Sequence, residues 1–260
     1  MRKPSIAQWL WGLQCGSLVT FTGWAAIDPL FLSMLHDTQR WLITSTVDSH
    51  QWLPTIDLVR QTIFGCILLV ALFSLAGILA GMLRRSPGAS SLKSVKAWLT
   101  LTTAAALWCG LVVNVEAIAW HGKRFRIAAQ VEGFERLANQ LRDSYPTADG
   151  ELPYLGPFMA YPFGRPSTLI LLQSPSFASH SICVSAVERT SAGAILLQLS
   201  GPDGGVWAEW HPPSSRPHSF VGGLGDRHTF STCESIGNGW YLVRYAANSY
   251  AAQQESFSKR

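Results

Sequence analysis

Three long apolar stretches in the first half of this chain constrain its fold more than any other feature. Residues 9–27, 63–83 and 97–115 contain no Asp, Glu, Lys or Arg. A helix rises ~1.5 Å per residue, so about 20 such residues span roughly 30 Å, the hydrocarbon thickness of a bilayer. The reading is a membrane α-helical N-terminal half, residues 1–120, with three transmembrane helices at about 9–27, 63–83 and 97–118.

Only 14% of the residues are charged, and the shortage is local. Residues 121–260 hold 12 Lys and Arg against 11 Asp and Glu, the balance of a soluble domain. Residues 121–248 are enough chain to bury a core of their own, and 249–260 read as a polar tail. The net charge of +4 does not call for nucleic acid, because the excess lies in the N-terminal tail and the 84–96 loop. Membrane orientation accounts for it there.

The tail carries Arg2 and Lys3, and the 84–96 loop carries Arg84, Arg85, Lys93 and Lys96 with no acid. Residues 28–62 carry Arg40 and Arg60 against Asp28, Asp37, Asp48 and Asp57. Cytoplasmic loops retain Lys and Arg. The N-terminus and the second loop are therefore expected inside, and the C-terminal domain outside the cytoplasm. Lys123, Arg124 and Arg126 oppose this order from the outer side, but the inner loop and tail together outweigh them. Arg2, Lys3, the first apolar run and Gly23-Trp24-Ala25-Ala26 also fit a signal peptide with a small-residue cleavage site. The run is longer than such a peptide needs, which favours a retained helix, and either outcome leaves the orientation unchanged.

Several finer features follow. Trp24, Trp41 and Trp52 fit an interfacial aromatic belt, and Trp98 and Trp120 bracket the third span. Gly12 and Gly16, Gly77 and Gly81, and Ala106 and Gly110 place small residues on one helix face, the pattern of close helix packing. Packing within the chain accounts for them, with a homodimer as the sharper alternative. Cys183 and Cys233 are the only two cysteines in the soluble half. They are either a disulfide, as an extracytoplasmic domain permits, or two buried thiols.

Beyond the third span, Phe125, Ala128, Val131, Phe134, Leu137, Ala138 and Leu141 keep helical spacing. They predict one amphipathic helix over 123–142, with Gly122 as the joint to the membrane. Residues 168–172, 182–187, 194–199, 206–211, 229–233 and 240–245 read as strands, and Asn238-Gly239 as a tight hairpin turn. The domain is thus expected to be a small α+β fold with a mainly antiparallel sheet. Residues 150–166, rich in Pro and Gly, read as an irregular crossover.

Chemistry is sparse. Glu209, His211, His218, Asp226, His228 and Glu234 fall within one segment. Imidazole and carboxylate suit zinc, so His211, His218 and His228 are the candidate metal ligands, although their spacing matches no metal motif and solvated loop histidines are the plainer reading. Ser219 and Ser231 lack a nucleophile motif. Gly222, Gly223 and Gly225 precede no helix pattern, which argues against a phosphate cradle. Gln14, Asn114 and Glu116 are the polar groups at or near membrane depth, and two or three such positions make no transport path.

The sequence implies no cofactor and no catalytic residue. It reads as an integral membrane protein of the cell envelope, presenting a binding or assembly domain outside the cytoplasm. Its partners would be the lipid bilayer and another membrane protein or a second copy. The alternatives are a membrane-anchored hydrolase or metalloenzyme using the 209–234 cluster, and a sensor or transport accessory subunit.

Overall fold

The computed structural model describes residues 6–35, 55–83, 91–177, 182–201 and 205–246. Arg2, Lys3, Arg84 and Arg85, the tryptophans 41 and 52, the side chains of Lys93 and Lys96 and the polar tail lie outside the described residues. The chain divides into two compact units, Met1–Gly122 and Lys123–Arg260. The N-terminal half is helical, and the C-terminal half is built on an antiparallel sheet.

The first unit contains α1 (Ile6–Ile27), α2 (Thr55–Leu83), α3 (Ser91–Val113) and the start of α4 (Val115–Ala128). Asp28-Pro29 ends α1: proline cannot continue the helix, and Asp28 Oδ2 accepts the Trp24 indole N–H at 2.8 Å. Asp28 Oδ1 accepts from Leu30 N at 3.0 Å, which starts the helical turn at 31–35. Phe21, Ala25, Phe31, Met34, Leu111 and Val115 form a buried cluster, edged by Phe64 and Trp108. Of the glycines in the small-residue pairs, Gly77 alone meets a neighbour: a Cβ there would lie 3.2 Å from Leu10 Cδ1.

Among the described residues, one helix, Leu58–Leu83, is long and apolar enough to cross a membrane. Counting Ala97–Val113 and Val115–Ala128 as one bent span makes two. The three expected spans thus reduce, on length and composition, to one or two. α1 carries no charge, but Gln8, Gln14, Ser17, Thr20 and Thr22 dilute its apolar content. The third span is interrupted by a 63° bend. The bend lies at Asn114, whose side chain donates to Gly110 O at 2.7 Å, competing with the helical ladder, while the division between the two units falls after Gly122. Gly122 lies inside α4, where any side chain would strike the Ala26 carbonyl.

In the second unit, α5 (Val131–Asp143) buries Val131, Phe134, Leu137, Ala138 and Leu141, one stripe at helical spacing. The single helix expected over 123–142 is therefore two, broken at residues 129–130. The apolar stripe does not run through the break: Phe125 is 80% exposed, and Ile127 is the buried residue of the part of α4 that lies in this unit, 123–128.

Among the described residues ten strands follow: β1 (Gly150–Leu152), β2 (Gly156–Tyr161), β3 (Thr168–Leu171), β4 (Ser176–Phe177), β5 (Ile182–Arg189), β6 (Ile195–Ser200), β7 (Trp207–Trp210), β8 (Phe220–Val221), β9 (Arg227–Gly237) and β10 (Trp240–Ala246). Nine run in the order β1-β2-β3-β5-β6-β7-β10-β9-β8, and β4 adds to β5. The 150–166 region is not an irregular crossover, because β1 and β2 form a hairpin within it. Its prolines hid it; Pro157 pairs with Glu151 beside the sheet edge, where a missing N–H is tolerated. Asn238-Gly239 forms the expected tight turn, with φ of 52° and 79°. Both angles lie in the left-handed region that a type I′ hairpin requires.

Register assigns the two faces. Leu169, Val187, Leu197, Ala208 and Leu242 lie in one cross-strand row. Trp240, two residues from Leu242, faces the same way and meets Phe134 of α5 at 5.7 Å between ring centroids. Its indole N–H donates to Glu135 Oε2 at 2.6 Å. The helix therefore covers this face. On the other face, Thr168, Glu188, Leu196, Glu209 and Tyr241 share a row.

Candidate functional site

Two buried acids stand in that second row. Glu209 is 0% exposed and Glu188 is 8% exposed. An ionised carboxylate taken from water is tolerated only when hydrogen bonds or charges compensate it. The two sites meet this need differently.

Glu209 is fully partnered. Tyr245 Oη donates to its Oε1 at 2.6 Å, and His211 Nε2 lies 2.8 Å from its Oε2. Period-two alternation puts Glu209 and His211 on the same side of one extended segment, and His211 N donates to Gly239 O at 2.9 Å to hold that segment in line. The chain then turns through Pro212-Pro213, with Ser215 N donating to Pro212 O at 2.9 Å. The turn brings the Ser215 hydroxyl back to 3.0 Å from His211 Nδ1. A cavity of about 300 Å³ opens here, lined by Trp210, Pro212, Pro213, Arg216, Asn238 and Tyr241 together with His211 and Ser215. Burial and the negative charge of Glu209 push the Tyr245 phenol well above its usual range, so it remains a donor. Burial, then Glu209, raise the Cys233 thiol.

Glu188 is less well compensated. Burial and the neighbouring Asp226 carboxylate push it up to about 7, against a hydrogen bond from the Gly223 N–H. The glycines that precede Asp226 permit this arrangement. A Cβ at Gly222 would lie 2.7 Å from Asp226 Oδ1 and 2.8 Å from Glu188 Oε1, and one at Gly223 would strike the Thr168 hydroxyl. These glycines serve close backbone approach over two carboxylates. Thr168 Oγ1 and Asp226 Oδ1 are buried without a hydrogen-bond partner. Tyr145 donates to Ser167 O at 2.8 Å, and burial and Glu188 raise its phenol.

The candidate metal ligands do not converge. His211 is held by Glu209 and Ser215. The exposed His218 points its Nδ1 at Arg216 O, 3.0 Å away. His228 stacks on Phe220 at 4.7 Å, and its Nε2 lies 2.5 Å from Asp226 Oδ2. Among the described residues, no three His, Cys, Asp or Glu side chains are grouped to hold a metal ion.

The sequence leaves Cys183 and Cys233 open to a bridge or to two thiols. Cys183 and Cys233 are free thiols, on β5 and β9, with β6, β7 and β10 between them. Four strand spacings of ~4.8 Å put them about 19 Å apart, far beyond a bridge. Glu234 pairs with Arg124 at 3.2 Å, and Ser219 Oγ accepts from Phe230 N at 2.9 Å.

The polar groups of the first unit have local roles. Gln14, 1% exposed, lies 2.6 Å from Ser74 Oγ and, with its oxygen turned inward, accepts the Trp108 indole N–H at 2.5 Å. It ties α1, α2 and α3 together. Glu116 is exposed on α4.

Sequence reasoning missed Glu188, Thr168, Tyr245 and Ser215. The signal for the last was present: Glu209-x-His211 sets both side chains on one face, and a Pro-Pro turn returns the chain toward them. No family model, no curated protein and no solved structure matches this chain.

Proposed function

We propose that this is a multi-pass membrane protein whose helical unit anchors an antiparallel-sheet domain used for binding or assembly outside the cytoplasm. The observation that carries the reading is α2. Leu58, Val59, Ile63, Leu69, Leu72 and Phe73 are all exposed along it. In water such a surface is an aggregation liability; in lipid it is the solvated face.

Spans at about 9–27, 63–83 and 97–118 complete the anchor. The packing of α1 on α2 through Leu10 and Gly77 and the bent Ala97–Ala128 segment support it. The acid-free 84–96 segment and Arg2 and Lys3 favour a cytoplasmic N-terminus. The bilayer is the first partner, and a second copy or another membrane protein the next. Alkaline carbonate extraction of cell membranes tests the anchoring: the chain is expected in the pellet. Its release to the supernatant would overturn the reading.

A further inference from the structure

The Glu209–His211–Ser215 chain has a direction that follows from its acceptors. An ionised carboxylate has no proton to give, so Tyr245 and His211 both donate to Glu209. His211 Nε2 then carries the ring proton, and Nδ1 is left with its lone pair. The Ser215 hydroxyl, 3.0 Å from Nδ1, donates to that bare nitrogen. A hydroxyl aimed at an imidazole base, whose far N–H is fixed by a buried carboxylate, is the arrangement that activates serine as a nucleophile. The two ring nitrogens exchange their usual places, which leaves the proton transfer unchanged because either can accept while the other stays protonated.

Access and surroundings agree. Ser215 is half-buried and borders the cavity of about 300 Å³, while His211 and Glu209 sit behind it. Trp210, Arg216 and Asn238 line the same cavity and bear N–H donors suited to a developing oxyanion. Pro212, Pro213 and Tyr241 supply apolar wall. The volume lies at the small end of ligand pockets, which suits a short acyl chain.

We propose that Ser215 is an acyl-accepting nucleophile and that this domain hydrolyses short-chain acyl esters. Ser215 Oγ adds to the ester carbonyl carbon as its proton passes to His211 Nδ1, and the carbonyl electron pair moves to oxygen. Collapse breaks the bond to the alkoxy oxygen, which takes the proton from Nδ1 and leaves as the alcohol. Water then adds to the acyl-serine, giving its proton to Nδ1. The second collapse returns that proton to Ser215 Oγ and releases the carboxylic acid. Ester and water become acid and alcohol. Glu209 touches no reacting atom; it is a positioning residue that holds the tautomer. The inference rests on the second unit alone and does not depend on the membrane reading.

The test uses the full chain in detergent, a fluorophosphonate probe and p-nitrophenyl butyrate. The probe is expected on the peptide containing Ser215, by mass spectrometry. Ser215→Ala should abolish that label and lower turnover by at least about 100-fold, with an unchanged unfolding temperature. Glu209→Gln should lower kcat with little change in KM. No label, label at another residue, or Ser215→Ala turning over like the parent would overturn the proposal. A folded Glu209→Gln with parental kcat would overturn the positioning role. Should that variant fail to fold, the Ser215 label and Ser215→Ala turnover still decide the proposal.

Discussion

The two units bury opposite things. Much of the apolar surface of the helical unit faces outward along α2, while one of its best-buried side chains is the amide of Gln14. The sheet domain buries Phe134, Leu137, Leu197 and Trp240 on one face and two acids, Glu188 and Glu209, on the other. Each unit hides what its surroundings solvate poorly, so the contrast reads as a difference of solvent. Where lipid surrounds a helix, apolar surface costs nothing and a polar group seeks a partner inside. Where water surrounds a sheet, apolar rows form the core and buried charge must be compensated.

The sheet domain offers the strongest test of this contrast. Phe134 is fully buried against Trp240. Phe134→Ala should cost ~3–5 kcal/mol, read by denaturant unfolding of a fragment beginning at Lys123. A loss below ~1 kcal/mol would mean that α5 does not share the core.

Glu188 gives the next largest effect, and its sign is fixed. Its folded-state value, about 7, lies above the usual 4.5. The folded domain therefore holds the proton more tightly. The stabilisation linked to it is present below 4.5 and lost as pH rises through about 7. Between about pH 5 and about pH 8 the parent should lose on the order of 2 kcal/mol relative to Glu188→Gln, after allowance for solvent screening. Equal pH slopes for the two proteins would remove Glu188 as a buried acid.

The smallest effect belongs to the helical unit. Gln14→Leu replaces the buried amide with an apolar side chain and should cost about 1 kcal/mol in micelles, the usual scale for hydrogen bonds between membrane helices. A loss of ~3 kcal/mol or more would mean that the unit depends on its polar contact more than a lipid-solvated bundle does.

The sheet was legible where alternation and turn chemistry agree. Strands β3, β5, β6, β7, β9 and β10 fall near the apolar runs, and Asn238-Gly239 marks its hairpin because few other pairs accept two positive φ values. The β1–β2 hairpin was not legible, because Pro153, Pro157 and Pro162 imitate a loop. The helix break at 129–130 left no mark either; no Gly or Pro stands there, and the shift from Phe125 to Ile127 as the buried residue is a tertiary choice. Arg142 bonds Glu135 at 2.6 Å and lies 4.0 Å from the Trp210 ring centroid, contacts that helical spacing alone does not announce. At the candidate site the sequence displayed Glu209 and His211 but not their partners: Ser215 returns through a turn, and Tyr245 and Glu188 arrive from other strands. Pairing across strands is set by register, which one sequence leaves open.

The central claim is that the apolar half lies in a membrane and the sheet domain beyond it. Reporter fusions test it most directly. A reporter active only outside the cytoplasm should be active when fused after Asn248 and silent when fused at Ala89. Activity at Ala89 with silence after Asn248 would contradict the orientation, and silence at both positions would contradict the crossing itself.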